Sequence, residues 1–359
     1  MEPAAGTTPR PFITANQVTL ARLALLPLGS WLIYQGLTGQ WVAFVFLTVL
    51  GCTDFVDGML ARRYGATVLG GLMDPIADKV FVAMVFYPMT DPAQGWLPPA
   101  WVGALLVREF LVTAARTSYQ RRDITLRSTY LAKIKTWAQM SATAFFFLAR
   151  VLPARVWLIG ILAALAAAAS IAIVAFYVVR RRWWRGALVF CGIFAGLTVC
   201  AVLVDMPTFS LCLLVGTVAL TWLTGGQYFT GLGSLVRRRP FDAADWVRAI
   251  GAVTIPVAAT ALLGTGTVPA WPIIGLVCLE FAIGGLDNLL AHDGGIQSGA
   301  AWGARVLGES VLLGAACVLA RRGTIAVALA LTHAAFALAA VTIGLAFWRN
   351  RRAYLAAKA

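Results

Sequence analysis

Residues 157–179 read WLIGILAALAAAASIAIVAFYVV, a stretch without a charged residue that would be apolar on every side of a helix. A helix needs about 20 consecutive apolar residues to cross a bilayer, and this stretch is long enough. A transmembrane β-barrel instead needs strands in which apolar and polar residues alternate. Helices are the remaining way to satisfy backbone hydrogen bonds in lipid, so the stretch predicts a membrane-spanning helix.

The rest of the chain repeats this apolar pattern. Of its 359 residues, 60% are hydrophobic, and the mean hydropathy is +0.81. Soluble domains reach only about 45–50% even when Gly is counted. We therefore predict an all-α, polytopic membrane protein whose short loops leave no room for a separate soluble domain. Hydropathy divides the chain into about twelve segments: 17–35, 41–60, 75–90, 99–116, 133–149, 156–179, 187–204, 209–226, 246–263, 271–290, 304–320 and 324–347.

The basic residues predict how these segments are oriented. The net charge is +14, and many of the arginines form short clusters between apolar segments. Because cytoplasmic loops of membrane proteins carry such an excess, we expect the clusters and both termini on the cytoplasmic side of the cell membrane. There they would face the anionic headgroups of membrane lipids, and no nucleic-acid partner is expected. The clusters are Arg121, Arg122 and Arg127; Arg180, Arg181, Arg182 and Arg185; Arg237, Arg238 and Arg239; and Arg349, Arg351 and Arg352.

Four carboxylates stand together at the boundary of two segments. Asp54 and Asp57 are three residues apart at the end of the second segment, and Asp74 and Asp78 are four apart at the start of the third. Each pair therefore lies on one helical face, and a short turn would bring the pairs together. Four converging carboxylates repel one another unless cations lie between them, and oxygen ligands favour Mg²⁺, Mn²⁺ or Ca²⁺ over zinc. The pattern predicts two divalent metals, which suit phosphoryl-type transfer, at the cytoplasmic edge of the bilayer.

Small and basic residues accompany the carboxylates. Gly58 and Ala61 share the face of Asp54 and Asp57 and would leave space for a bulky group. The planar fork of Arg62 can bind phosphate oxygens. The alternative interpretation is that the four acids only form ion pairs at the membrane interface with Arg62, Arg63 and Lys79.

The motif DxxDGxxAR, followed after seven residues by GxxxDxxxD, resembles the signature of the CDP-alcohol phosphatidyltransferases at all eight fixed positions. The resemblance implies a six-helix catalytic bundle in which Asp54, Asp57 and Asp74 hold two Mg²⁺ or Mn²⁺ ions. It also implies that Asp78 contributes to the metal site and acts as the general base, and that CMP leaves from CDP-diacylglycerol. The residues that would seat the CDP group are Gly58, Ala61, Arg62 and Gly70.

The regions that flank the motif indicate which alcohol accepts the phosphatidyl group. Within this family they resemble the phosphatidylglycerophosphate synthases over residues 12–180, in four stretches: 16–22, 73–79, 107–116 and 133–140. This resemblance implies that the acceptor is sn-glycerol 3-phosphate and that four basic residues bind its phosphate: Arg108, Arg116, Lys133 and Lys135. For Arg108 an orienting ion pair with Glu109 remains open. Other acceptors known in the family, namely phosphatidylglycerol in cardiolipin synthesis or inositol phosphate, are alternatives.

The second half of the chain departs from the family pattern. We predict a catalytic domain over residues 1–186 and an additional membrane domain over 187–359, in which 239–348 is a degenerate partial repeat. Of the four motif carboxylates only Asp57 keeps a counterpart, Asp287. Glu280, Asp287 and Glu309 would pair with Arg305 or line a second polar cavity. A chain ending near residue 186 is accordingly expected to retain transfer.

Two further expectations complete the sequence-based interpretation. Relatives in the family commonly dimerise, so a homodimer is compatible with the resemblance, although the sequence itself carries no signal for it. The alternative of another class is a non-catalytic membrane scaffold or transporter, in which the long second half would be the working part.

Overall fold

Twelve α-helices make up most of the part of the chain that the structure describes. The computed structural model describes residues 14–65, 68–122, 124, 130–230, 240–292 and 300–355, and these residues contain no strand. Each predicted segment corresponds to one helix, which confirms the all-α architecture. The helices are α1 (Ala15–Leu32), α2 (Gly36–Tyr64), α3 (Val68–Thr90), α4 (Pro99–Gln120), α5 (Tyr130–Val151), α6 (Arg155–Arg180), α7 (Arg185–Leu203), α8 (Met206–Thr230), α9 (Ala243–Leu263), α10 (Ala270–His292), α11 (Ala300–Arg321) and α12 (Ile325–Leu355).

Eight of these helices, α2 and α6 to α12, are long and apolar enough to cross a membrane. The chain is a multi-pass membrane protein. The remaining four helices, α1, α3, α4 and α5, contain buried polar residues such as Arg22, Arg108 and Gln139. Ionisable groups at membrane depth normally face the protein interior, and α3 and α4 indeed bury most of their length against other helices.

The third helix begins earlier than hydropathy predicted. It starts at Val68 instead of near residue 75, so Asp74 and Asp78 lie inside the helix and not at its start. Helix α2 ends at Tyr64, where Gly65 adopts a φ of 99°. Glycine reaches this conformation without a Cβ penalty, which allows the chain to turn towards α3. The end of α2 and the first half of α3 are thereby brought to the same end of the bundle.

The two halves of the chain share one apolar core. Helices α9 and α10 pack against α4 and α3, and α11 and α12 pack outside them. The core contains Leu105 of α4 together with Leu262 of α9, and the rings of Phe110 and Phe281 stack with centroids 4.1 Å apart. Helices on both sides of the division predicted near residue 186 thus contribute to this core. A chain ending there would expose this apolar face, so we expect the truncation to reduce stability.

Helices α6 and α7 stand apart from this core. They pack against each other, and most of their residues are exposed. A small apolar cluster joins them to the rest of the bundle, in which Leu158 and Leu162 lie with Phe145 of α5 and Phe209 of α8. Helix α8, not α6, covers α4 and α5. Of the six helices predicted for the catalytic bundle, α6 is therefore the one that packs least against the others.

Several predicted features lie outside the described residues. They include Arg127, the cluster Arg237 to Arg239 and the start of the proposed repeat at residue 239. The repeat and the division into two domains stay predictions.

An ion-pair cluster joins the end of α4 to the start of α9. Arg121 Nη2 lies 2.6 Å from Asp242 Oδ2, and Arg121 Nη1 lies 2.8 Å from Asp245 Oδ1. Arg122 Nη2 approaches Asp245 Oδ2 to 2.6 Å. Asp242 also accepts a hydrogen bond from the backbone of Asp245 and so caps α9. These contacts tie the two halves together at one end of the bundle.

We expect Asp242→Asn to lower stability slightly at neutral pH. Asparagine keeps the helix cap but loses the charge. The hydrogen bond and charge of Arg121 hold the pKa of Asp242 well below its usual range. Its contribution is therefore present above about pH 4 and is lost as the pH falls towards the folded-state pKa. Because Asp242 is half exposed, the effect should be about 1 kcal/mol or less.

The measurement is the thermal unfolding midpoint of the detergent-solubilised protein between about pH 6 and about pH 3. The difference between wild type and Asp242→Asn should narrow as the pH falls. A difference that stays constant or grows in acid would contradict the ion-pair explanation.

Candidate active site

A large cavity lies among α2, α3, α4 and α5, with Tyr228 of α8 in its wall. Its volume is about 1140 Å³, whereas pockets for drug-sized ligands occupy roughly 300–1,000 Å³. The cavity therefore has room for a large substrate together with a small one. Its charged lining residues are Asp54, Asp57, Arg62, Asp74, Asp78, Lys79, Arg108, Glu109 and Arg116.

The four motif carboxylates converge on two side chains of α1. Thr19 Oγ1 lies 3.1 Å from Asp57 Oδ2 and 3.2 Å from Asp74 Oδ1. Arg22 Nη1 lies 2.8 Å from Asp54 Oδ1 and 3.8 Å from Asp78 Oδ1, and Arg22 Nη2 lies 3.7 Å from Asp57 Oδ2. The pairs on α2 and α3 thus meet, as their spacing predicted.

Helix geometry explains this convergence. Helix α1 packs against both α2 and α3. Thr19 and Arg22 are three residues apart, so they lie on the same face of α1 and reach both neighbours. Sequence reasoning placed Arg22 in a flanking motif but gave it no role. The available signal was a charged residue inside an apolar segment, which at membrane depth indicates function by default.

The donor chemistry of this cluster fits divalent cations. Its ligands are all carboxylate oxygens, and Arg22 pairs with three of the four carboxylates. Mg²⁺ or Mn²⁺ would neutralise their remaining negative charge. The side chains of Asp54 and Asp78 are 44% and 37% exposed, so they remain accessible from the cavity. Within the described part of the chain, no three acidic, His or Cys side chains are close enough to hold an ion as they stand. The carboxylate oxygens of Asp54, Asp57 and Asp78 instead form ion pairs with Arg22.

Two arginines of α4 form a second charged region of the cavity. Arg108 Nη1 donates to Glu109 Oε1 at 3.1 Å, and Arg108 Nη2 donates to Thr224 Oγ1 at 3.2 Å. Arg116 Nη2 donates to the Tyr228 hydroxyl at 2.6 Å. The ion pair of Arg108 with Glu109 is therefore present while both residues line the cavity.

Only some of the remaining predicted site residues line the cavity. Gly58 and Arg62 line the cavity, whereas Ala61 and Gly70 are not among the described residues that do so. Lys133 and Lys135 belong to the first turns of α5, but their side chains lie outside the described part of the chain.

Lys79 and Tyr228 also line the cavity, although sequence reasoning gave neither a site role. Lys79 donates a hydrogen bond to Thr113 of α4. The position of Lys79 directly after Asp78 could have indicated its place in the site. No local sequence feature indicates that Tyr228 belongs there.

The membrane-depth acids of the second half form separate ion pairs. Arg305 pairs with Glu280 and, at 2.8 Å, with Glu309 Oε2, as predicted. Asp287 pairs with Arg248 at 2.7 Å instead of with Arg305. The cavity beside these residues measures about 60 Å³, enough for water but not for a substrate.

Comparisons with known proteins match the N-terminal part of the chain. The family model described as CDP-alcohol phosphatidyltransferase matches residues 12–172. The CDP-diacylglycerol–glycerol-3-phosphate 3-phosphatidyltransferase of Escherichia coli (strain K12) is 31% identical over 132 residues, which are 36% of this chain and 72% of that enzyme. The proteins of that name from Shigella flexneri serotype 5b (strain 8401) and Shigella sonnei (strain Ss046) match with the same figures. No solved structure matches the chain.

Proposed function

Because this chain belongs to the CDP-alcohol phosphatidyltransferase family and is a transferase of phosphatidyl groups, we propose that it transfers the phosphatidyl group of CDP-diacylglycerol to sn-glycerol 3-phosphate. CMP is the product that leaves. The observation that carries this proposal is one cavity lined by a carboxylate cluster and by two arginines. The carboxylate cluster suits a metal-bound pyrophosphate, and the two arginines suit a phosphate dianion.

The carboxylate cluster is the proposed donor site. Asp54, Asp57 and Asp74 would hold two divalent ions, with a contribution from Asp78, and bound ions would neutralise the pyrophosphate charge. Arg62 would contact phosphate oxygens of the CDP group, with Gly58, Ala61 and Gly70 beside it. Further along the cavity the lining is apolar, which suits the acyl chains of a lipid; it includes Phe44, Leu47, Phe81 and Phe147.

Asp78 is the proposed general base. The acceptor hydroxyl oxygen attacks the phosphorus on the lipid side, a new P–O bond forms, and the bond from that phosphorus to CMP breaks. The hydroxyl proton must leave at the same time, and a carboxylate in the cavity can accept it. Asp78 is partly exposed there and lies beside the other three carboxylates, which supports this role.

The basic region is the proposed acceptor site. Arg108 and Arg116 supply positive charge for the phosphate, and planar guanidinium groups bind two phosphate oxygens at once. Lys133 and Lys135 are proposed as further contacts. The names of the bacterial relatives specify glycerol 3-phosphate, which supports the same acceptor. The cytoplasmic placement of the site and of both termini, and a homodimer, also remain proposals.

The test is CMP release by the purified protein in mixed micelles of detergent and CDP-diacylglycerol with Mg²⁺. We expect release with sn-glycerol 3-phosphate and at least about tenfold less, equivalent to 1.4 kcal/mol, with inositol phosphate or phosphatidylglycerol. Preferential use of another acceptor would overturn the acceptor assignment. No release with any acceptor would favour the scaffold or transporter alternative.

A further inference from the structure

Helix α8 lies beyond the family-matched segment yet touches both arginines of the proposed acceptor site. We infer that α8 completes this site, with Thr224, Gly225 and Tyr228 acting as positioning residues for Arg108 and Arg116. The inference rests on the proposed function, because it concerns how the same phosphate is bound.

Tyr228 holds Arg116 in two ways. Its hydroxyl accepts the 2.6 Å hydrogen bond from Arg116 Nη2, and the guanidinium carbon lies 5.1 Å from the centre of the tyrosine ring. Tyr228 is itself fixed, because its carbonyl oxygen accepts a 2.8 Å hydrogen bond from the hydroxyl of Tyr119 on α4. An arginine side chain has many rotamers, so these contacts restrict where its charge can point.

Thr224 and Gly225 hold Arg108. Thr224 Oγ1 accepts a hydrogen bond from Arg108 Nη2 at 3.2 Å. A Cβ atom at Gly225 would lie 2.7 Å from Arg108 Nε and 3.3 Å from Nη2. No real Cβ contact is that short, so the guanidinium would have to move. The position of Arg108 therefore depends on the absence of a side chain at residue 225.

These contacts lie on one face of α8, because Thr224 and Tyr228 are four residues apart. The same face packs against α4, and Trp222 Nε1 adds a hydrogen bond to the Ala104 carbonyl at 3.1 Å. The acceptor pocket then includes α4 from the matched segment and α8 from outside it. Residues after 186 thus belong to the active site and are more than an appended membrane anchor.

Gly225 and Gly226 provide a matched pair of variants. Alanine at Gly225 would displace Arg108, whereas a Cβ at Gly226 meets nothing within 4 Å. Both changes raise helix propensity. We expect Gly225→Ala to raise the KM for sn-glycerol 3-phosphate by about tenfold or more, the scale of one hydrogen bond to a charged group. The KM for CDP-diacylglycerol should stay within about twofold, and Gly226→Ala should resemble wild type in both.

Substitutions at Thr224 and Tyr228 provide a second set of variants. Tyr228→Phe keeps the ring but removes the hydroxyl that accepts the hydrogen bond from Arg116. Thr224→Val removes the hydroxyl that accepts the hydrogen bond from Arg108. Each should raise the same KM by roughly three- to tenfold, and Thr224→Ser should restore it. These variants keep side-chain volume, so a change in KM without a change in the thermal unfolding midpoint separates positioning from a structural role.

The outcomes distinguish the inference from the proposed function. If wild type does not use sn-glycerol 3-phosphate, the proposed acceptor fails. If wild type uses it and Gly225→Ala has an unchanged KM, the positioning role fails while the proposed function stands. Equal losses of turnover in Gly225→Ala and Gly226→Ala, with unchanged KM, would also overturn the positioning role.

Discussion

Replacing Asp74 with asparagine is expected to lower the rate of CMP release by at least about a thousandfold, or about 4 kcal/mol in the activation free energy. Asparagine keeps the shape of the side chain and an oxygen for the hydrogen bond from Thr19, which lies 3.2 Å from Asp74 Oδ1. It lacks the negative charge needed to hold a divalent cation beside the pyrophosphate, and such a cation contributes several kcal/mol. Asp54→Asn and Asp57→Asn should behave in the same way.

The measurement is the initial rate of CMP release as a function of Mg²⁺ concentration, on protein that elutes from gel filtration like wild type. Asp205→Asn is the matched control, because Asp205 is exposed immediately before α8 and does not line the cavity. It should retain the wild-type rate. Full activity of Asp74→Asn, or of wild type in excess chelator, would rule out the metal-based interpretation of the four carboxylates.

Replacing Arg22 with methionine is expected to destabilise the protein by about 3–5 kcal/mol in the absence of divalent ions. Arg22 is 1% exposed and contacts Asp54, Asp57 and Asp78. Without it the buried Asp57 faces its neighbouring carboxylates with no compensating charge, and repulsion among them favours unfolding. Methionine fills much of the same volume, so a packing defect contributes little.

The thermal unfolding midpoint with and without Mg²⁺ tests this expectation. Added Mg²⁺ should raise the midpoint of Arg22→Met more than that of wild type, because cations then replace the missing positive charge. Arg182→Met serves as the control, since Arg182 is exposed in the turn between α6 and α7. A loss of stability no larger than that of Arg182→Met would show that Arg22 does not balance the carboxylates.

The fold class and the carboxylate motif could be predicted from the sequence because both depend on local patterns. An apolar stretch of sufficient length must form a helix in lipid, where every backbone group needs an internal hydrogen bond. The three- and four-residue spacings of Asp54/Asp57 and Asp74/Asp78 place each pair on one helical face. Even the error at the start of α3 is local, because Gly70, Gly71 and Asp74 lower the mean hydropathy of its first turns.

Which helices surround the site depends on long-range packing that no local sequence pattern reveals. Arg22 meets Asp54 across 32 positions of the chain, Arg116 meets Tyr228 across 112, and Arg108 meets Thr224 across 116. Helices rich in Ala, Leu and Val have no hydrophobic preference for one neighbour over another in lipid, so their partners depend on detailed packing and a few polar contacts. The helical periodicity of α8 therefore predicts a membrane span, whereas its role beside Arg108 and Arg116 follows from its packing against α4 and α5.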